Sequence, residues 1–123
     1  FSGLKTALIY RTMKDCELLT ESNVCDLVAS FQKAIVDVLV RKTVSATKEA
    51  GVDRVLVSGG VAANSRLREE LVKKGEVNNI RVYIPSLYLC MDNAAMVGCL
   101  GYFKYLRGLI DDLEVDVSSK SDF

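Results

Sequence analysis

Residues 54–68, RVLVSGGVAANSRLR, decide the fold of this chain. The stretch opens with VLV at residues 55–57, a short apolar run of the kind that forms a strand buried on both faces. Gly59 and Gly60 then end the strand, and because glycine has no Cβ they allow a sharp turn and a close approach of the backbone to a ligand. A helix is predicted after the turn.

The order of strand, glycine turn and helix N-terminus can form a cradle for a phosphate or a nucleotide. Free N–H groups and the positive end of the helix dipole point toward such a turn. The same Gly59-Gly60 pair is also typical of a strand and a helix that simply pack closely. Both interpretations stay open on these residues alone.

The helix after the turn is amphipathic. Ala63, Leu67 and Leu71 share one face, which we expect to pack on the core, and Gly75 is predicted to close the helix. The charged residues are predicted to form a solvated face: Arg66, Arg68, Glu69, Glu70, Lys73 and Lys74.

The remaining elements follow from periodicity. Apolar residues at helical spacing predict a long helix over residues 22–50, with Gly51 as its C-cap. Alternation predicts a half-buried strand over residues 80–84, ended by Pro85. A short helix starting at Ser2 or Gly3, a connector at 15–20, an Asn78-Asn79 turn, a loop at 86–91, a helix at 93–107, and a tail or edge strand at 113–117 complete the prediction.

The two predicted strands flank a crossover helix, so we expect them to be parallel and the fold class to be α/β. Two strands make a poor sheet by themselves. The chain also opens at Phe1 without an initiator Met, and we therefore expect it to be part of a longer protein whose upstream sequence supplies more strands.

Composition excludes several function classes. The 123 residues are half apolar and carry 16 basic and 16 acidic side chains, so no large net charge attracts nucleic acid or membrane. No apolar run is long enough to span a membrane. The four cysteines are widely spaced within apolar patterns, which predicts buried free thiols. The sequence has no histidine, which excludes a Ser-His-Asp triad, a Cys-His dyad and a histidine-ligated metal made by this chain alone.

Two polar residues are candidates for a site. Asp92 precedes the last predicted helix and could cap it by accepting the N–H of Ala94 or Ala95, or could offer a carboxylate oxygen to a metal ion. Asn64 could cap the helix after the glycine turn, or could form hydrogen bonds with a ribose or a base edge.

Three motifs in order resemble one family. FSGLKTA opens the chain, SGGVAANSRLR follows the first strand, and MDNAAMVG follows the second strand and its loop. Together with the DDLEVDV ending, they resemble the C-terminal half of the TsaD family, the tRNA N6-adenosine threonylcarbamoyltransferases once described as O-sialoglycoprotein endopeptidases. The resemblance covers essentially the whole chain.

The resemblance implies an actin-like ATPase fold with two lobes around a cleft, of which this chain would be most of the second lobe. It implies transfer of a threonylcarbamoyl group from threonylcarbamoyl-adenylate to the adenosine 3′ to the anticodon. Asn64 would contact the adenylate or ATP, and Gly59 and Gly60 would let the backbone approach it. Asp92 would be a metal ligand, for iron(II) or alternatively zinc.

The resemblance also implies what lies outside the chain. The family's other metal ligands are histidines of an HxxxH motif in the first lobe, and this sequence has no histidine. We therefore expect the chain to hold neither a full metal site nor a complete active site. FSGLKTA is similar to bacterial or organellar members, which implies TsaB-like and TsaE-like partners, tRNA as substrate, no membrane, and a location in the cytoplasm or an organellar matrix.

Other functions remain as alternatives. A carbamoyltransferase of the hydrogenase-maturation type, or a sugar or acetate kinase, belongs to the same superfamily, but the former usually has NDGG where this chain has MDNAAM. A non-catalytic, partner-binding relative would lose the Asp and Asn motifs, which this chain keeps. A protease has no support, because nothing here provides a nucleophile and base pair.

Overall fold

Within the described residues the chain is mostly helical, and its two short strands form one sheet. The computed structural model describes residues 2–116, without the side chains of Ser2 and Leu18. The elements are, in order, α1 (Ser2–Lys14), a 3₁₀ helix (Cys16–Leu19), α2 (Glu21–Glu49), β1 (Arg54–Leu56), a 3₁₀ helix (Gly60–Ala63), α3 (Ser65–Val77), β2 (Arg81–Tyr83), a 3₁₀ helix (Leu87–Leu89) and α4 (Ala94–Leu106).

The two strands pair in parallel, as predicted, with Val55 opposite Val82. The ladder continues beyond the strand ends, because the Val57 N–H donates to the Tyr83 carbonyl oxygen at 2.9 Å. The α3 helix lies between the strands in sequence and contacts β2. These findings confirm the α/β class.

The burial predicted for the first strand is wrong for this chain. Leu56 is 82% exposed, and Val55 is half-buried. Within residues 2–116 one face of the sheet carries α2 and α3, and no second layer covers the side on which Leu56 lies. The alternation predicted for the second strand is confirmed, since Val82 is half-buried between exposed Arg81 and Tyr83.

The core lies where α2 crosses α3. Val36 and Val40 of α2 and Leu67 and Leu71 of α3 are buried together. Leu39, Val57 and Val82 pack against this cluster from the helix and the sheet. The long helix was predicted within one residue at each end. Its C-cap is Ala50 and not Gly51 as predicted; Gly51 follows the cap with a left-handed backbone, at a φ of +64°.

Gly75 does not close α3, contrary to the sequence prediction. The helix continues to Val77, and the turn is made by Asn78 and by Asn79, whose φ is +56°. Gly75 is buried, and a Cβ built on it would lie 2.7 Å from the Ile80 carbonyl oxygen. The glycine is therefore needed for close approach of β2 and not for a left-handed backbone.

The segments outside this core are exposed. Within the described residues α4 buries no side chain, and residues 109–116 form no strand; Val117, the last residue of the predicted edge strand, lies outside the description. The cysteine prediction holds for Cys90, which is buried, but not for Cys16, Cys25 and Cys99, which are exposed; all four thiols are free. None of the helices in residues 2–116 has the length and apolarity to cross a membrane.

Candidate functional site

The glycine turn, residues 58–64, connects β1 to α3. Gly59 has a φ of +88°, a backbone conformation that residues with a Cβ rarely adopt. A Cβ built on Gly59 or Gly60 would have no atom within 4 Å among the described residues. Close packing therefore does not explain this glycine pair here, and the backbone of the turn is open to an approaching ligand.

Asn64 is the N-cap of α3. Its Oδ1 accepts a hydrogen bond from the Leu67 N–H at 3.0 Å, which confirms the capping prediction. The α-helix begins later than expected, because the 3₁₀ helix of Gly60–Ala63 lies between the glycines and the cap. Asn64 is half-buried, and no hydrogen bond within residues 2–116 uses its Nδ2, so this group can donate to a ligand.

The second candidate, Asp92, lies in the segment between β2 and α4, residues 84–93, which we name the Asp92 loop. Of the two interpretations of Asp92, the one in which it caps α4 is wrong. Asn93 is the N-cap, and its Oδ1 accepts from the Met96 N–H at 2.9 Å. Its Nδ2 also donates to the Met91 carbonyl oxygen at 2.8 Å, which folds the chain around Asp92. The Asp92 carboxylate is exposed and has no hydrogen-bond partner within the described residues.

Parallel pairing brings the glycine turn and the Asp92 loop to the same edge of the sheet. Both follow the carboxyl ends of their strands, the edge at which ligands bind in open α/β sheets. An open pocket of about 600 Å³ lies between the strand ends, with Ser58 and Pro85 among its lining residues. The glycine turn and the Asp92 loop therefore follow the same edge of the sheet, although they are far apart in sequence, and none of the four candidate residues lines this pocket.

Arg68 of α3 connects these two segments directly. Its Nη1 donates to the Ala62 carbonyl oxygen at 3.0 Å, within the glycine turn. Its Nη2 donates to the Pro85 carbonyl oxygen at 2.7 Å, within the Asp92 loop. Nη1 also lies 3.7 Å from the Sγ of Cys90, which is 3% exposed.

The sequence placed Arg68 on the solvated face of α3, and for this residue the prediction is wrong. Its side chain is half-buried, because the loop after β2 folds over it. One signal was present in the sequence. Arg68 follows Asn64 by four residues, which puts the two on one side of the helix. Arg68 therefore lies beside the glycine turn, which ends at Asn64.

A metal ion would need more ligands than the described residues bring together. Among residues 2–116, no three Cys, Asp or Glu side chains form a group that could hold a metal ion. A role for Asp92 as a metal ligand would therefore require further ligands from outside the described residues.

The charge pair with the clearest pKa effect lies at the opposite edge of the sheet. The Arg81 guanidinium donates to the Asp53 carboxylate at 2.7 Å, and this hydrogen bond lowers the pKa of Asp53. The same bond raises the pKa of Arg81. Asp53 precedes β1 and Arg81 is the first residue of β2, so this pair lies at the amino ends of the strands, away from the candidate site.

Comparison with known proteins identifies the family. The family described as "TsaD: tRNA N6-adenosine threonylcarbamoyltransferase" matches residues 1–99, which include the glycine turn and the Asp92 loop. A tRNA N6-adenosine threonylcarbamoyltransferase of Clostridium novyi is 44% identical over 116 residues, which are 94% of this chain and 34% of the relative. The protein of the same name from Caldicellulosiruptor saccharolyticus is 47% identical over 108 residues, or 88% of this chain and 32% of the relative.

A third relative of that name, from Thermosipho africanus, is 46% identical over 114 residues, covering 91% of this chain and 33% of the relative. This chain thus spans about a third of the length of the curated relatives it matches. The match to the family covers most of the chain and both candidate segments. The chain belongs to the TsaD family of tRNA N6-adenosine threonylcarbamoyltransferases.

Proposed function

We propose that this chain is the adenylate-binding part of a tRNA N6-adenosine threonylcarbamoyltransferase. In the full-length protein it would act in the transfer of the threonylcarbamoyl group from threonylcarbamoyl-adenylate to N6 of the adenosine 3′ to the anticodon. The observation that carries this proposal is the family match over residues 1–99, a range that contains Gly59, Gly60, Asn64 and Asp92.

The proposed setting is the second lobe of an actin-like ATPase fold. The parallel strands support this assignment, as does the position of both candidate segments after the carboxyl ends of the strands. In such a setting the exposed face of Leu56 would be covered by other parts of the longer protein.

The glycine turn is the proposed contact with the adenylate or ATP. The absence of a Cβ at Gly59 and Gly60 leaves the backbone accessible, and α3 turns its positive end toward the turn. Asn64 can hold its helix with Oδ1 and donate to the ligand with Nδ2 at the same time. Its capping role and its proposed binding role are therefore compatible.

The transfer needs no nucleophile from the protein. The adenosine N6 amine attacks the carbamoyl carbon and forms the new C–N bond, while the bond from that carbon to the adenylate phosphate oxygen breaks. AMP leaves with the electron pair, and the amine loses one proton. This chain's contribution would be to hold the adenylate in position, which is sufficient for a large share of the rate when reactants are well oriented.

Asp92 is the proposed ligand that this chain gives to a divalent metal, iron(II) in the first place and zinc as the alternative. Its exposed carboxylate is a ligand type that such ions accept. The histidine ligands would come from outside this chain, which has none. When bound, a metal of this kind supplies a Lewis acid that polarises a carbonyl oxygen.

The proposed partners are tRNA as substrate and TsaB-like and TsaE-like proteins as companions, in the cytoplasm or an organellar matrix. The opening FSGLKTA supports this choice through its similarity to bacterial and organellar members. The relatives' own names specify tRNA and its N6-adenosine.

A transfer assay tests the proposed function. The full-length protein and its companions would be incubated with threonylcarbamoyl-adenylate and an unmodified tRNA transcript, and the digested nucleosides would be separated by mass. We expect threonylcarbamoyladenosine to form. A transcript with guanosine in place of the target adenosine is the control, and equal incorporation into both transcripts would contradict the proposal.

A further inference from the structure

We propose that Arg68 is a positioning residue that fixes the Asp92 loop relative to the glycine turn. The inference rests on the proposed function, because it assumes that both segments contact the reacting molecules. It adds a residue that is not among the proposed ligand contacts Gly59, Gly60 and Asn64.

The contacts of Arg68 place it between the two candidate residues. Ala62, whose carbonyl oxygen accepts from Nη1, lies two residues before Asn64. Cys90, whose sulfur lies against the same nitrogen, comes two residues before Asp92. One guanidinium thus contacts the segment that leads into each candidate side chain.

Both segments have hydrogen bonds of their own, and Arg68 supplies side-chain bonds that join one segment to the other. The turn is held by the Asn64 cap and by the bond from the Ala62 N–H to the Gly59 carbonyl oxygen at 2.9 Å. Within residues 2–83, Arg68 is the residue whose side chain donates hydrogen bonds to the loop. Loss of Arg68 should therefore let the loop move relative to the turn.

The guanidinium is suited to this position because it is a planar fork with several donors. Nη1 and Nη2 reach two carbonyl oxygens on different segments at once. A lysine ammonium is a single compact centre on a flexible stem, so it cannot reproduce that fork. Arg68→Lys keeps the charge and removes the bridge, which makes it the sharpest test.

Cys90 provides a readout that does not depend on activity. Its side chain is buried beside Arg68, and its Sγ lies 3.6 Å from the Ser86 carbonyl oxygen within the loop. Alkylation by iodoacetamide, followed peptide by peptide by mass spectrometry, reports how often the loop opens. We expect labelling of Cys90 to be about tenfold faster or more in Arg68→Lys, because bonds from a charged donor are lost from the closed form.

Arg66→Lys is the matched control for that labelling. Arg66 lies on the same helix and pairs with Glu70 at 2.9 Å, and none of its hydrogen bonds or ion pairs within the described residues joins it to the loop. We expect Cys90 in this variant to react at the wild-type rate. Exposed Cys25 serves as an internal standard in every sample. Equal Cys90 rates in wild type and Arg68→Lys would overturn the proposal.

Steady-state kinetics of the full-length protein test whether Arg68 contributes to catalysis. We expect Arg68→Lys to lower kcat by about 10- to 100-fold, the effect typical of residues that orient a ligand group, while the KM for the adenylate changes little. A purely structural role would instead lower the melting temperature and leave kcat unchanged at temperatures where the variant is folded. Arg68→Gln is the second variant if Arg68→Lys does not fold.

A double mutant identifies the group through which Arg68 acts. If Arg68 positions Asp92, Arg68→Lys should cause no further loss of kcat in the Asp92→Asn background. Independent, multiplicative losses would contradict the inference. If the wild-type protein transfers no threonylcarbamoyl group, the proposed function fails, and the expected effect of Arg68 on kcat fails with it. The Cys90 labelling still decides whether Arg68 holds the loop.

Discussion

Asn64 and Asn93 cap two different helices with the same hydrogen bond. The Oδ1 of Asn64 accepts from the N–H three residues later at 3.0 Å, and the Oδ1 of Asn93 does so at 2.9 Å. The two candidate segments therefore end in the same way, each with an asparagine that begins a helix. Because Asn93 caps α4, the Asp92 carboxylate has no structural task there and can be changed without loss of the helix.

Asn64→Asp separates the two roles of Asn64. Asp caps about as well as Asn, so we expect little change in the melting temperature. The substitution replaces the Nδ2 donor with a negative charge, and we expect adenylate or ATP affinity to fall by about tenfold or more. Isothermal titration on the full-length protein measures the affinity. Unchanged affinity would mean that Asn64 is a cap alone.

Gly60→Ala tests whether the glycine turn is kept open for a ligand. A Cβ at Gly60 meets no atom within 4 Å among the described residues, so the free energy of unfolding should not fall. We expect weaker adenylate binding, because the new methyl group would occupy space that the proposed ligand contact requires. Gly59→Ala is the comparison, and there we expect a stability loss of about 1 kcal/mol or more from its φ of +88°. Normal binding by Gly60→Ala would argue against contact at this turn.

Asp92→Asn and Asp92→Ala test the proposed metal ligand. Both variants should unfold with a free energy within about 0.5 kcal/mol of the wild type, since the cap is Asn93. We expect both to contain less metal, as measured by elemental analysis of the purified full-length protein. Asp111→Asn, which changes another exposed carboxylate, is the control. Equal metal content in all four proteins would remove Asp92 from the metal site.

Gly75→Ala should destabilise the protein although alanine favours helices. The helix propensity gain is about 1 kcal/mol, but the added Cβ would lie 2.7 Å from both the Ile80 carbonyl oxygen and Val82 Cγ2. Overpacking of this kind costs about 1–3 kcal/mol, and backbone atoms cannot yield easily, so we expect a net loss. Denaturant unfolding measures it, with exposed Glu76→Ala as the control. A stabilised Gly75→Ala would show that β2 can move away.

The Asp53–Arg81 pair predicts a small pH dependence of stability. The hydrogen bond from Arg81 lowers the pKa of Asp53 in the folded chain below its ordinary 3.8. The contribution is therefore present above that ordinary value and is lost as the pH falls through the folded value. NMR titration of the Asp53 carboxyl should give a lower pKa in the wild type than in Arg81→Gln. Identical titrations would mean that the pair does not persist in solution.

The elements with strong local signals were predictable from the sequence. The period of Phe31, Ile35 and Val38 was sufficient for α2, and the alternation around Val82 was sufficient for β2. The parallel pairing followed from chain connectivity. The glycine turn and the Asn64 cap were also predictable, because a cap depends on residues three positions apart.

The contacts between distant segments were not predictable in this way. Arg68 and Pro85 are 17 residues apart, and no periodic pattern in the sequence predicts a hydrogen bond from the Arg68 side chain to the Pro85 carbonyl oxygen. The exposure of Leu56 likewise depends on which layers are present and not on the apolar run itself. Glycine often ends a helix, which is why Gly75 was predicted to do so. In the structure it instead allows the Ile80 backbone to approach α3 closely.

The parallel pairing also constrains the order in which this chain can fold. Asp53 and Arg81 are 28 residues apart, and the segment between them contains all of α3. Bringing the strands together closes that loop, and closure costs less conformational entropy when the loop is already shortened by a helix. We therefore expect α3 to form before or together with the strand pair, so that substitutions within α3 slow the folding rate more than substitutions at the strand ends.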